Sequence, residues 1–125
     1  MSDRLPILRI GGNLLVSIQA DLDDQTVMNL QEDLADDVVR YGARGVIIDI
    51  TAAEIVDSFV GRMLSTIASI SRLLDAETVV VGMRPAVAIT LVELGLSLGG
   101  VRTALNLEQG LAILTERASA GTAGR

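Results

Sequence analysis

The chain has 125 residues, half of them apolar, and its ten basic and sixteen acidic residues leave a net charge of −6. That is enough apolar material for one domain with a packed core, but the sequence contains no His, Cys, Trp or Lys and only one Tyr and one Phe. A phosphohistidine carrier, zinc or thiol chemistry, a Ser-His-Asp triad, a Walker lysine and Schiff-base catalysis are thereby excluded, and the acidic balance argues against a nucleic-acid partner.

Leu5 to Ile10 and Leu14 to Ala20 read as two strands, joined by Gly11-Gly12-Asn13, which supplies the positive φ angles of a tight antiparallel hairpin. In the second strand Leu14, Val16, Ile18 and Ala20 share the core face, while Ser17 and Gln19 lie on the other. Asp21 to Asp24 then offers capping acids to a helix whose apolar positions are Val27, Leu30, Leu34, Val38 and Tyr41 and which Gly42 ends. Glu32, Asp33, Asp36 and Asp37 on its outer face read as solvated charges, so no metal site is expected there.

The stretch from Gly45 to Leu74 organises the rest. Val46, Ile47, Ile48 and Ile50 form a short β-branched run broken by one acid, the pattern of a central strand covered on both faces. A polar turn from Thr51 to Glu54 follows, and from Phe59 onward Val60, Met63, Leu64, Ile67, Ile70 and Leu74 recur at helical spacing. Ser58, Arg62, Ser65, Ser69 and Arg72 fall on the outer face of that helix, with Ser58 at its head. A hydroxyl in that place has two explanations. It can cap the helix by accepting a bond from a backbone N–H, a task Asp57 could perform equally well. It can also accept a phosphate, which would meet free N–H donors and the positive end of the helix dipole, with Arg62 one turn ahead.

Thr78 to Val81 reads as a second buried strand before Gly82. Arg84 lies at the strand-to-helix turn, Pro85 suits a first helical position, and Ala86 to Leu94 makes a short helix that Gly95 can close. Leu94, Leu96, Leu98 and Val101 then form a glycine-punctuated apolar stretch that is either ordinary core or a self-association patch. Val101 to Leu105 makes the last strand. Asn106 with Gln109 three residues on is a capping-box arrangement for a final helix with Leu107, Leu111 and Leu114 inside, ending near Arg117.

The resulting order, β-β-α-β-α-β-α-β-α, gives an α/β fold: a mixed sheet of four to five strands with an N-terminal hairpin, right-handed crossovers and about four helices. One domain over residues 1–117 and a disordered tail over residues 118–125 are expected, because the last eight residues are small or polar with nothing to bury. Pro85 to Val101 is broken by Glu93 and three glycines and falls short of the roughly 20 apolar residues a membrane span needs. With no leader-like opening, a cytoplasmic protein without a membrane or nucleic-acid partner is expected.

These letters resemble the STAS domains, the family of sulfate-transporter and anti-sigma-factor-antagonist domains. The family's signature is a serine or threonine preceded by aspartate at the start of the helix after the third strand, matched by Asp57-Ser58, with Asp49 and the Asp-Ile-Thr turn ahead of it. Leu14 to Thr26, Pro85 to Gly95, Thr103 to Leu111 and the Asp57-Ser58-Phe59 triplet are similar to one branch, the serine-bearing scaffolds of the bacterial stressosome. That resemblance implies a non-enzymatic, cofactor-free regulator. It would assemble with sensor STAS paralogues into a large particle and hold a serine/threonine switch kinase that is released on phosphorylation of Ser58 under stress, and a phosphatase would reset phospho-Ser58. Asp57, Phe59 and Arg62 would form the kinase-recognition surface. The alternative within the family is a free anti-sigma-factor antagonist that binds an anti-sigma kinase one-to-one.

Overall fold

Val46, Ile47 and Ile48 are fully buried although consecutive strand side chains point to opposite faces, so the sheet they belong to is covered on both sides. The computed structural model describes residues 4–19, 22–53, 57–96 and 98–123, with side chains in the last helix up to residue 116. Its elements are β1 (Leu8–Ile10), β2 (Asn13–Ser17), α1 (Asp24–Tyr41), β3 (Gly45–Asp49), α2 (Ser58–Leu73), β4 (Glu77–Val81), α3 (Pro85–Glu93), β5 (Val101–Ala104) and α4 (Leu107–Ala123).

The sheet has five strands in the order β1-β2-β3-β4-β5. β1 and β2 form the expected antiparallel hairpin, with Ile10 opposite Asn13 across the Gly11-Gly12 turn; β2 through β5 run parallel. Each parallel step moves one strand onward in the same direction, and crossovers of one hand then place their helices on one face. Accordingly Leu30 and Leu34 of α1, Leu64 and Ile67 of α2, and Val87 and Leu91 of α3 share a core with Val46, Ile48 and Val80. The opposite face is closed by α4, where Leu114 packs with Ile47, Val79 and Val81.

Several boundaries differ from the sequence reading. β1 is confined to Leu8–Ile10, and Pro6, which lacks an N–H to give to a ladder, lies in the stretch that drops out. β2 closes at Ser17, although the Ile18 amide still reaches the Asp49 carbonyl at 2.8 Å; Ala20 and Asp21 lie outside the described residues. Of the candidate caps for α1, Asp23 performs the task, accepting a bond from the Thr26 amide at 2.7 Å. Tyr41 is exposed instead of buried, and the Arg9 guanidinium lies over its ring at 4.0 Å from the centroid, a cation–π contact that covers the ring without a core. In the apolar stretch after α3, Leu96, Leu98 and Val101 pack against the main core and Leu94 is exposed. The backbone of α4 remains helical to Ala123, beyond the end expected near Arg117, because the alanine-containing stretch that follows holds no proline to stop it.

Candidate functional site

Because β2 through β5 are parallel, the turns that follow β3 and β4 emerge at one edge of the sheet, where side chains from separate strands can meet. The turn after β3 leads to α2. Asp57 has extended backbone angles and its Oδ1 accepts a hydrogen bond from the Val60 amide at 3.0 Å, so Asp57 is the N-cap and Ser58 the first helical residue. The Gly61 amide closes the first turn on the Asp57 carbonyl at 3.1 Å. Of the two capping candidates in the sequence, the acid is therefore the one used.

That leaves the Ser58 hydroxyl unbonded among the described residues, half-buried at the positive end of a helix with no acid in its first turn. Phe59 is half-buried and packs against the main core, which fixes how α2 enters the fold. Arg62 is exposed one turn further, and in a helix a long side chain leans back toward the N-terminus, over the position four residues earlier. Ser65, Ser69 and Arg72 continue the outer row, half-buried or exposed, while Met63, Leu64 and Ile67 are buried beneath it. The structure thus brings Asp57, Ser58 and Arg62 to one helix end, with Phe59 beside them as an anchor.

The turn ahead of this helix is tied to the neighbouring strand. Thr51 donates twice to Asp49 Oδ1, from its amide at 2.9 Å and from its hydroxyl at 2.6 Å. The Ile50 amide donates to the Val81 carbonyl at 3.0 Å, and Arg84 Nε donates to the Thr51 carbonyl at 3.2 Å. Gly82 sits directly beneath Thr51: its φ is +77°, and a Cβ there would overlap the Thr51 hydroxyl. Sequence reasoning placed Asp49 in the family pattern but missed Arg84 and Gly82 as parts of the site. The signal available was a Gly and an Arg at the strand-to-helix junction just before Pro85, which marks a special turn without saying what it touches.

Glu54, the end of the expected polar turn, lies outside the described residues. Among the described residues no helix is long and apolar enough to cross a membrane.

The family model that matches this architecture is the STAS domain, over residues 4–109. The chain belongs to the STAS domain family. Among curated proteins this STAS domain is similar to the RsbT co-antagonist protein RsbRA of Bacillus subtilis, with 30% identity over 107 residues, or 85% of the chain. It spans only 39% of that relative's length. Among solved structures it is similar to Moorella thermoacetica RsbS S58E, with 43% identity, a TM-score of 0.81, and coverage of 92% of this chain and 97% of that one. A chain in the molecular architecture of the stressosome, described as a signal integration and transduction hub, gives 44% identity and a TM-score of 0.79, covering 90% of this chain and 98% of that one. The resemblance seen in the sequence to the antagonist-type, stressosome branch of the family is thus met by relatives of that branch.

Proposed function

We propose that this STAS domain is a cytoplasmic stressosome scaffold that holds a serine/threonine switch kinase and releases it once the kinase has phosphorylated Ser58. The observation that carries this reading is the division of labour at the start of α2, where Asp57 caps the helix and leaves the Ser58 hydroxyl without a structural task. A phosphate on Ser58 would sit at the positive end of the helix dipole among orphan backbone donors, with Arg62 one turn ahead, so the helix accepts it. A kinase packed over the same spot does not. The modification brings a charge of about −1.5 to −2 beside the Asp57 carboxylate, with repulsion and a desolvation cost at any interface there.

The relatives supply the setting. RsbRA is a co-antagonist of RsbT, and the chain of the solved stressosome is part of a signalling hub. A domain similar to both fits a particle built from this chain and sensor STAS paralogues, in which self-association and paralogue contacts use one fold. The scaffold is a substrate and not a catalyst, and a phosphatase acting on phospho-Ser58 restores the holding state.

Light scattering during size-exclusion chromatography tests the scaffold reading. Mixed with a sensor paralogue, the chain should elute in a particle much larger than a dimer, and the kinase should co-elute with it until ATP is added. Elution only as small species, with kinase bound one-to-one to the free chain, would replace the scaffold by a free antagonist.

A further inference from the structure

The first turn of α2 rests on the end of α3. After Glu93 the chain stops in a Schellman arrangement: Gly95 has φ +71°, its amide donates to the Val92 carbonyl, and the Leu96 amide donates to the Leu91 carbonyl, both at 3.0 Å. That turn folds Leu96 back toward Leu91, and both leucines meet α2 at Gly61. A Cβ on Gly61 would lie 2.5 Å from Leu96 Cδ1 and 3.1 Å from Leu91 Cδ2, so the two side chains bracket bare backbone. Gly61 is buried within a helix, where glycine is less favourable than alanine, and its φ is not among the positive ones. What the glycine supplies is therefore close approach to α3, a contact that any side chain at this position would obstruct.

Ser58 stands three residues before Gly61, on the adjoining turn of the same side of α2. The Gly61 amide closes that turn on the Asp57 carbonyl at 3.1 Å, and the Asp57 carboxylate holds the Val60 amide. The contact with α3 and the acceptor hydroxyl thus belong to one hydrogen-bonded turn. We propose that Gly61 is a positioning residue for phosphoryl transfer to Ser58: by letting α2 settle onto Leu91 and Leu96, it sets where the Ser58 hydroxyl stands relative to the rest of the domain that the kinase holds. This inference rests on the reading of Ser58 as the phosphoacceptor. In the transfer the bond from Ser58 Oγ to the γ-phosphorus of ATP forms as the bond from that phosphorus to the ADP oxygen breaks, and the hydroxyl proton leaves with the kinase's base. Gly61 touches none of these atoms. Bulk added at Gly61 lifts the first turn of α2 away from α3 and carries Oγ with it, whereas the reacting atoms must meet in line at about 3–3.5 Å. The loss therefore falls on the chemical step and not on binding.

The test uses the full chain with Gly61→Ala, Gly61→Val, Leu96→Ala and the pair Gly61→Ala with Leu96→Ala. Thermal melts are recorded without kinase, then the kinetics of phosphorylation with kinase and ATP, the site being mapped by mass spectrometry. Gly61→Ala should lower kcat about tenfold with KM held within about twofold, and Gly61→Val should lower kcat further. Leu96→Ala alone adds no bulk, so it should melt earlier than the parent and keep its kcat. The pair makes room for the added methyl and should recover kcat to within about threefold of the parent even though it is less stable, a recovery that a merely structural role would not give. If Gly61→Ala does not fold by itself, Gly61→Ala paired with Leu96→Val takes its place: partly refilling the space should lower kcat relative to the pair with Leu96→Ala, and equal rates would overturn the proposal. Gly61 variants with the parent's kcat, a change confined to KM, or a Leu96→Ala pair as slow as Gly61→Ala would each overturn it while leaving Ser58 as the acceptor. Parent protein phosphorylated only at another hydroxyl overturns the Ser58 reading and this inference with it, and the mapping step identifies that case.

Discussion

The Asp57 carboxylate accepts the Val60 amide at 3.0 Å and so takes the capping role that Ser58, one residue later, could otherwise have filled. Two neighbouring residues with equal aptitude for one task are resolved by geometry: Asp57 has the extended backbone of a cap, and Ser58 is already helical. The serine's exposure to modification thus depends on its neighbour's occupation.

Replacing Asp57 should therefore have two effects. Asp57→Ala should lower stability by about 0.5–2 kcal/mol through loss of the cap, and it should also impair phosphorylation of Ser58. Asp57→Asn, which still caps, should restore stability. Denaturant titration and a kinase assay on the two variants separate the structural from the recognition contribution. Alanine and asparagine forms of equal stability would show that the cap contributes nothing.

Ile48 is fully buried at the centre of β3, between strands on both sides. Ile48→Ala should cost about 2–5 kcal/mol by loss of transfer energy and by the cavity left behind. A variant that unfolds at the parent's denaturant midpoint would contradict the packing described.

Gly82 and Gly11 both have positive φ, +77° and +61°, but only Gly82 lies against another residue. Gly11→Ala should cost only the left-handed backbone conformation, about 1–2 kcal/mol. Gly82→Ala bears the same penalty and must also displace Thr51, so it should be the more destabilising of the two. Thermal melts of both variants check the order, and equal losses would remove Gly82 from the turn's support.

Acid sensitivity has a local contributor at the start of α1. The Asp23 carboxyl is held below its ordinary value of 3.8, first by the backbone amide of Thr26 and then by the Thr26 side chain. A lowered folded-state value means that the ionised cap stabilises the fold fully above the ordinary aspartate range and that this contribution is lost as pH falls through the folded value. Asp23→Asn still caps but no longer titrates, so its stability should fall less steeply below pH 3.8 than the parent's. Denaturation midpoints measured down that range give the comparison, and parallel curves would exclude the contribution.

How much of this was legible in the letters follows from which signals are local. The β-branched run from Val46 to Ile48 and the helical spacing of Met63, Leu64 and Ile67 specify β3 and α2, because burial on a strand or helix repeats with a fixed period. The capping box at Asn106 appears with a shift: the Gln109 amide donates to Asn106 Oδ1 at 2.9 Å, while the Gln109 side chain accepts from Leu105 instead of from Asn106. Tyr41 continued the apolar period of α1, yet the face it occupies meets Arg9 of β1, a contact between elements that no local period encodes. Ile89 and Val92 are exposed on α3 although most of its residues are apolar, since a helix of this length over a sheet buries only one side. The tie from Arg84 to Thr51 joins residues 33 apart in sequence and exists only because β3 and β4 are parallel neighbours. In the same way, the choice between Asp57 and Ser58 as cap depends on where the first helical turn begins, a boundary that sequence patterns leave open by a residue or two.

The central claim is that charge on Ser58 sets how tightly the kinase is held. The most direct measurement is phosphosite mapping by mass spectrometry after incubation with kinase and ATP, followed by kinase affinity for the parent, its phosphorylated form, Ser58→Ala and Ser58→Asp. Phosphate should be found on Ser58, the phosphorylated form should bind weakly, and Ser58→Ala should retain the kinase in the presence of ATP. Ser58→Asp should fall between them, because a carboxylate carries about one charge where phosphoserine carries roughly −1.5 to −2. Phosphate confined to another hydroxyl, or equal kinase affinity for the alanine, aspartate and phosphorylated forms, would contradict the account.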